Sequence, residues 1–331
     1  MPTLTDFIYT QFRLSIPLPT TPFNSKTVLI TGATGGLGQE IATHIVRLNA
    51  AKVILACRNP SRGNDTKHAI ESTLRCDSSI LEVWEVDLES AASIKGLVNK
   101  INKLPRLDVV IHNAGVSAAK FKRVYGTEQT LAVNCIGTFL LALQVLPKLR
   151  DTARRFAETT PCMTFVGSAL YDVAKWPELD LDGEDVFEYF GDETKMGGMN
   201  QYNLSKLVQL YSVIKLASIV DPVTSRNPSP IVINSLDPCF CKTGLIGDLS
   251  GVGKVFFRVF EALAARTAEE GSRLVVQTAS AGRETHGLYM RAGVVQEYAP
   301  IVRDRKKAEY LWEILSKRLE ALELGIMGNV Q

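Results

Sequence analysis

The sequence predicts a single doubly wound α/β domain, with a seven-stranded parallel sheet and helices on both faces. Three observations carry this expectation. Short apolar runs alternate with helix-length segments from residue 26 to about residue 292. The runs are apolar on consecutive residues, as strands covered on both faces must be. Nothing between them reads as an interdomain linker, and such alternation builds a parallel sheet with right-handed crossovers.

The strand-like runs fall at 27–31, 52–57, 80–86, 107–112, 162–167, 231–236 and 287–290. Helix-length segments separate them at 36–48, 61–75, 91–101, 124–149, 200–219 and 267–279. The last opens on Thr267-Ala-Glu-Glu270, the pattern of a capping box. Three pieces stand outside the alternation. Residues 1–24 form an N-terminal arm with Pro17, Pro19 and Pro22 at its end, and residues 25–331 the domain proper. Residues 169–199 insert acidic and aromatic sequence, including Tyr171, Trp176, Phe187, Tyr189 and Phe190. Residues 305–324 carry apolar side chains at 308, 311, 312, 315, 319 and 322. That stripe predicts an amphipathic helix packed on the body of the domain.

Composition narrows the function classes. The 331 residues are 46% hydrophobic and 22% charged, enough for a large core. With 37 basic and 35 acidic residues the net charge is +2, and no basic block suggests a nucleic-acid partner. No apolar run approaches the roughly 18 residues of a membrane span, and residues 1–24 lack the apolar core of a secretory signal. The six cysteines contain no C-x-x-C, which predicts a reducing, cytoplasmic setting. The four histidines show no ligand spacing, so no metal is expected.

Thr31-Gly-Ala-Thr-Gly-Gly-Leu-Gly38 follows the first strand and opens the first helix. In that context Gly32, Thr34, Gly36, Leu37 and Gly38 predict a pyrophosphate cradle, where free N–H groups and the helix dipole meet the ligand. The second strand ends on Cys57-Arg58-Asn59 with no carboxylate, and Arg58 stands 20 residues past Gly38. A guanidinium there suits a 2′-phosphate, a contact of about 1.5–3 kcal/mol, so NADP(H) is favoured over NAD(H). A solvated loop arginine is the other reading of Arg58. Further on, Tyr202 and Lys206 share one helical face, so phenol and ammonium project together. Ser168 closes the fifth strand, at the sheet edge where such folds bind ligands.

Together these residues resemble the short-chain dehydrogenase/reductase family, a Rossmann fold, over about residues 26–290. The glycine-rich turn is similar to the family's T-G-x-x-x-G-x-G. Asp87-Leu88 resembles its adenine-contacting strand end, Asn113-Ala114-Gly115 its N-A-G turn, and Val133-Asn134-Cys-Ile-Gly137 its V-N-x-x-G helix. Ser168, Tyr202 and Lys206 match its remaining active-site positions, and Pro238–Thr243 its P-G-x-x-x-T segment. The chain looks most like the carbonyl-reductase and retinol-dehydrogenase-like branch, which includes fungal enzymes of specialised metabolism.

The resemblance implies roles. Tyr202 would exchange the proton, Lys206 would lower its pKa and hold the nicotinamide ribose, and Ser168 would orient the substrate oxygen. Asn134 would support a water relaying protons through Lys206, while Asn59, Pro238 and Thr243 would join the cofactor site. Two positions depart from the pattern: His112 replaces the usual Asn before N-A-G, and Cys239 the usual Gly after Pro238. Part of 169–199 is expected to wrap the substrate, and 245–266 to close over it as a lid. The apolar, aromatic lid suggests a lipophilic ketone or alcohol. A homodimer or homotetramer, paired through the helices of Asn134 and Tyr202, is implied by resemblance alone. A catalytically silent nucleotide-binding regulator and a non-redox dehydratase or epimerase of the same fold are the competing functions.

Overall fold

The order of the sheet follows from strands that are buried on both sides and joined by helical crossovers. The structure is a computed structural model that describes residues 4–220, 230–242 and 261–330. Thr243 and most of the expected lid, 245–260, lie outside the described residues. The strands are β1 Thr27–Thr31, β2 Lys52–Cys57, β3 Leu81–Glu85 and β4 Val109–His112. They continue as β5 Cys162–Val166, β6 Val232–Asp237, β7 Tyr289–Arg291 and β8 Val294–Gln296. Their order in the sheet is β8-β7-β6-β5-β4-β1-β2-β3. β1 pairs in parallel with both β2 and β4, so the chain reverses its winding there. The crevice outside the carboxyl ends of β1 and β4 is the ligand position of such sheets.

The alternation of side chains along β1 builds both faces. Val28 and Ile30 join one apolar cluster with Ile41 and Ile45 of α1 (Gly36–Arg47) and Leu274 and Val275 of α6 (Ala268–Ala279). Leu29 points into the other, with residues of α3 (Ala91–Ile101), α4 (Thr138–Arg155) and α5 (Met199–Val220). The remaining long helices are α2 (Pro60–Leu74) and α7 (Arg305–Leu322). Thr267 and Glu270 form the capping box that the sequence predicts for α6.

Three expectations need correction. The sheet has eight strands rather than seven, because β8 turns back antiparallel on β7 through Ala292-Gly293. Both turn residues have positive φ, 55° and 81°, the backbone of a two-residue hairpin. The run Val294–Gln296 is short and exposed, so it carried no buried-strand signal. Second, 124–149 does not start as helix. Arg123–Val124 and Thr127–Glu128 form a small hairpin around Tyr125-Gly126, again at positive φ, before the chain turns helical at Gln129. Third, the helix runs on past residue 149 to Arg155, through Pro147. A π-turn over Ala132–Gly137 precedes α4. Gly137 ends it where the backbone abuts Leu88, and any Cβ would collide with the Leu88 carbonyl. The helical stretch Gln129–Arg155 is long and apolar enough to cross a membrane, yet 94% of its apolar window is buried inside the protein.

The extra segments are docked. α7 packs on α5, and Ile326–Val330 packs on α4, burying Leu311, Leu315 and Leu319. Tyr310 Oη ties α7 to the insertion, accepting from Val186 N at 2.8 Å and donating to Glu184 O at 2.7 Å. The arm is helical over Leu4–Ile8, continues as a π-turn to Arg13 and is then extended. Arg266 Nε donates to Thr10 O at 2.7 Å, Arg273 to Ile16 O at 2.6 Å and Gln277 to Pro17 O at 2.9 Å. All six cysteines are free thiols; five are buried and Cys76 is half-buried.

Candidate active site

The cleft assembles around the carboxyl ends of β1, β4 and β5. Gly35, just before α1, has φ +153° and no atom within 4 Å of where a Cβ would stand. That open, side-chain-free backbone at a helix N-terminus fits a pyrophosphate. Gly32, Thr34, Gly36, Leu37 and Gly38 surround it on the same turn. Asn113 ties this turn to the next one: Nδ2 donates to Thr31 O at 3.0 Å and Gly32 O at 3.2 Å. Thr31 Oγ1 accepts in return from Asn113 N and Ala114 N. Asn113 therefore acts on the cleft by holding two loops together.

Past the end of β3, Asp87 Oδ1 accepts from Glu89 N at 3.0 Å, and Leu88 is buried against the π-turn. Arg58 is exposed, with Nη1 3.5 Å from Glu89 Oε1. Glu89 is also bound by Lys122 and Gln129, and these partners hold its carboxyl below the usual range against the opposing effect of burial. Asn59 serves as the N-cap of α2, its side chain accepting from Arg62 N at 3.1 Å.

At the other end, β5 delivers Ser168 and α5 delivers Tyr202 and Lys206. Burial pushes the Tyr202 phenol up from its ordinary value, a hydrogen bond with Ser168 pulls it down, and Asp237 raises it. Lys206 Nζ lies 5.7 Å from the centroid of the Tyr202 ring. Burial drives Lys206 down to about 8. Burial is the largest of the influences on the phenol, and it favours the protonated form. A Cβ on Gly115 would meet Lys206 Nζ at 3.7 Å, so the ammonium borders the N-A-G turn.

Asn134 sits in the π-turn, fully buried. Its amide clasps the backbone of Val116, accepting from N and donating to O at 2.9 Å each, and donates to Ser205 Oγ at 2.9 Å. Ser205 passes this on to Tyr202 O at 2.8 Å. Its side chain locks the N-A-G loop to α5. Pro238 lies just past β6, and Cys239 takes φ +67°, the conformation that a glycine holds freely. His112 is buried, stacks on Phe165 at 4.6 Å between centroids, and has no partner for either ring nitrogen among the described residues. It is a core residue.

Two cavities border the site. One of about 10 Å³ is lined by Ser168, Lys206, Gln209, Ser235 and Tyr289. Another of about 350 Å³ is bounded by Ala169, Tyr171, Tyr289, Arg291 and the arm residues Tyr9 and Thr10. Of the insertion, Ala169–Val173 borders Ser168 directly, whereas Asp185 pairs with Arg318 of α7 at 2.6 Å. Sequence reasoning missed Gln209, Ser205 and the seat of the arm beside the site; a polar residue one turn past Lys206 on a buried helix was the available signal for the first.

A glycine-turn α/β crevice with a serine, tyrosine and lysine at its far end defines a dinucleotide-binding oxidoreductase. Residues 26–156 match the short chain dehydrogenase family. The chain is 33% identical over 332 residues to the short chain dehydrogenase/reductase dmxR8 of Cryptosporiopsis sp., covering 98% of this chain and 99% of that one. It is 37% identical to the short chain dehydrogenase atnD of Emericella nidulans, over 89% of this chain and 93% of that one. Among solved structures, a short chain dehydrogenase from Shigella flexneri, complexed with NADP, superposes with a TM-score of 0.57 at 18% identity, covering 83% of this chain and 100% of that one. The chain belongs to the short-chain dehydrogenase/reductase family, of the fungal type.

Proposed function

We propose that the protein is an NADP(H)-dependent oxidoreductase that interconverts a carbonyl and a secondary alcohol on a lipophilic small molecule in fungal secondary metabolism. The observation that carries this reading is the Tyr202 phenol, hydrogen-bonded to Ser168 with the Lys206 ammonium at its ring. When bound, the dinucleotide supplies or accepts the hydride at its nicotinamide. The residues of the chain do the rest. Gly32, Thr34, Gly36, Leu37 and Gly38 hold the pyrophosphate, Asp87 and Leu88 the adenine, and Arg58 the 2′-phosphate. Gly115, Pro238 and Lys206 line the nicotinamide end. Ser168 orients the substrate oxygen and Tyr202 gives it a proton in reduction or takes one in oxidation. Reduction takes up a proton and oxidation releases one, so oxidation gains as pH rises. The 350 Å³ cavity lined by Ala169 and Tyr171, which follow Ser168 in the chain, is of ordinary size for a small-molecule site.

The test is NADPH consumption against a panel of lipophilic ketones, with Tyr202→Phe as the control. The variant should bind NADPH as the parent does and turn over about 10²-fold more slowly or worse. Full turnover by Tyr202→Phe removes the proposed proton donor.

A further inference from the structure

Lys206 carries three N–H donors and no acceptor. Val166 O takes one donor at 2.8 Å and Gln209 Oε1 a second at 3.3 Å. At its other end the Gln209 amide donates through Nε2 to the main-chain oxygen of Asn134 at 3.1 Å. Gln209 is 2% exposed, Lys206 5% and Asn134 0%. Solvent therefore offers none of them a ready alternative. The orientation of the amide follows from its partners, since a carbonyl can only accept and an ammonium only donate. Lys206 and Gln209 lie one helical turn apart, so α5 presents both to the π-turn from a single face.

We infer that Gln209 is a positioning residue of this site, its amide clamping the Lys206 ammonium to the Asn134 carbonyl. The clamp stands where the family resemblance puts a relaying water. A carboxamide differs from water in a way that matters: it does not ionise in the working pH range and it cannot rotate away without orphaning two buried groups. It fixes the ammonium beside Gly115 and the Tyr202 ring. The purpose of the clamp rests on the oxidoreductase reading above; its geometry does not.

Three variants separate positioning from packing. Gln209→Leu fills the space but satisfies neither partner. Gln209→Ala leaves room for a water that can bridge Lys206 and Asn134. Gln209→Glu keeps the acceptor facing Lys206 and adds charge. The Cys135 thiol and the Tyr202 ring also lie by the ammonium, and Asp237 acts on Tyr202; all three remain in every variant. The first readout is the titration of Lys206 in the unliganded protein, followed by NMR of its ε-CH₂ group and identified by its loss in Lys206→Met. The midpoint should fall by about one unit in Gln209→Leu and rise by about one unit in Gln209→Glu. The second is NADPH affinity at neutral pH, by fluorescence. Gln209→Leu should bind several-fold more weakly than Gln209→Ala, although Ala leaves the larger cavity and a packing role predicts the reverse. An unmoved midpoint in both Leu and Glu variants, or Leu outperforming Ala, overturns the clamp. A parent protein that does not bind NADPH would overturn the cofactor reading instead, and the midpoints would still decide the clamp.

Discussion

Arg58 lies at the surface with its side chain 67% exposed and its guanidinium 3.5 Å from Glu89. So loose a contact adds little stability, which leaves the side chain available for a phosphate. Arg58→Ala should weaken NADPH by tenfold or more while leaving NADH nearly unchanged; equal losses in a paired fluorescence titration would remove the 2′-phosphate role. His112 makes a different residue-scale prediction. Burial lowers it from 6.5 to about 3. Between those values the unfolded chain binds a proton that the folded chain refuses, so stability is full above pH 6.5 and is lost as pH falls toward 3. His112→Phe keeps the stack on Phe165 and removes two orphaned nitrogens. Denaturant melts should show it gaining more at pH 5 than at pH 8. At Cys239, the left-handed backbone costs about 1–2 kcal/mol. Cys239→Gly should therefore be more stable than Cys239→Ala, the reverse of the usual order, since both lose the same sulfur. At this scale the sequence made Tyr202, Lys206, Ser168 and the glycines legible, because each is a local chemical signature. Gln209 was not, because its meaning depends on a carbonyl from another element.

Among the elements, the alternating strands and helices were readable from period and apolarity, with ends shifted by a residue or two except in the helix expected at 124–149. The two hairpins were not. Tyr125-Gly126 and Ala292-Gly293 lack the Asn or Asp that commonly marks such turns, and β8 is too exposed to show an apolar pattern. The arm was legible as an outlier but its seat was not, since Arg266, Arg273 and Gln277 grip its main-chain carbonyls rather than its side chains. Removing residues 1–17 takes the Thr10 and Leu14 carbonyls from the Arg266 guanidinium, 7% exposed, and leaves it only Glu270 among the described residues. We expect a loss of about 1.5–3 kcal/mol in thermal or denaturant melts. Combined with Arg266→Ala, the truncation should cost less than the sum of the two; strict additivity would show that the contact does no work.

In the whole molecule, the helices expected to pair two subunits are already covered from within. α7 and Ile326–Val330 lie over α5 and α4, and Arg150 Nη2 and Asn329 fasten the end at 3.4 Å and 3.2 Å. Each buried leucine of α7 contributes about 1.5–3 kcal/mol. The full chain should therefore sediment without a dimer contact on α4 or α5, and deletion of residues 305–331 should drive association through the uncovered faces. A full-length dimer cross-linked through α4 or α5 would defeat this reading. The amphipathic stripe foretold a docked helix; which surface it covers depends on tertiary geometry that no local pattern encodes.

The uneven exposure of the thiols gives an experimental handle. Since five of the six are sealed in the interior and only Cys76, at the turn after α2, reaches the solvent boundary, a maleimide dye should enter the native chain at a single position. Without any engineering, the protein would then carry its own site-specific fluorescent reporter, and loss of that selectivity in urea would time the opening of its core.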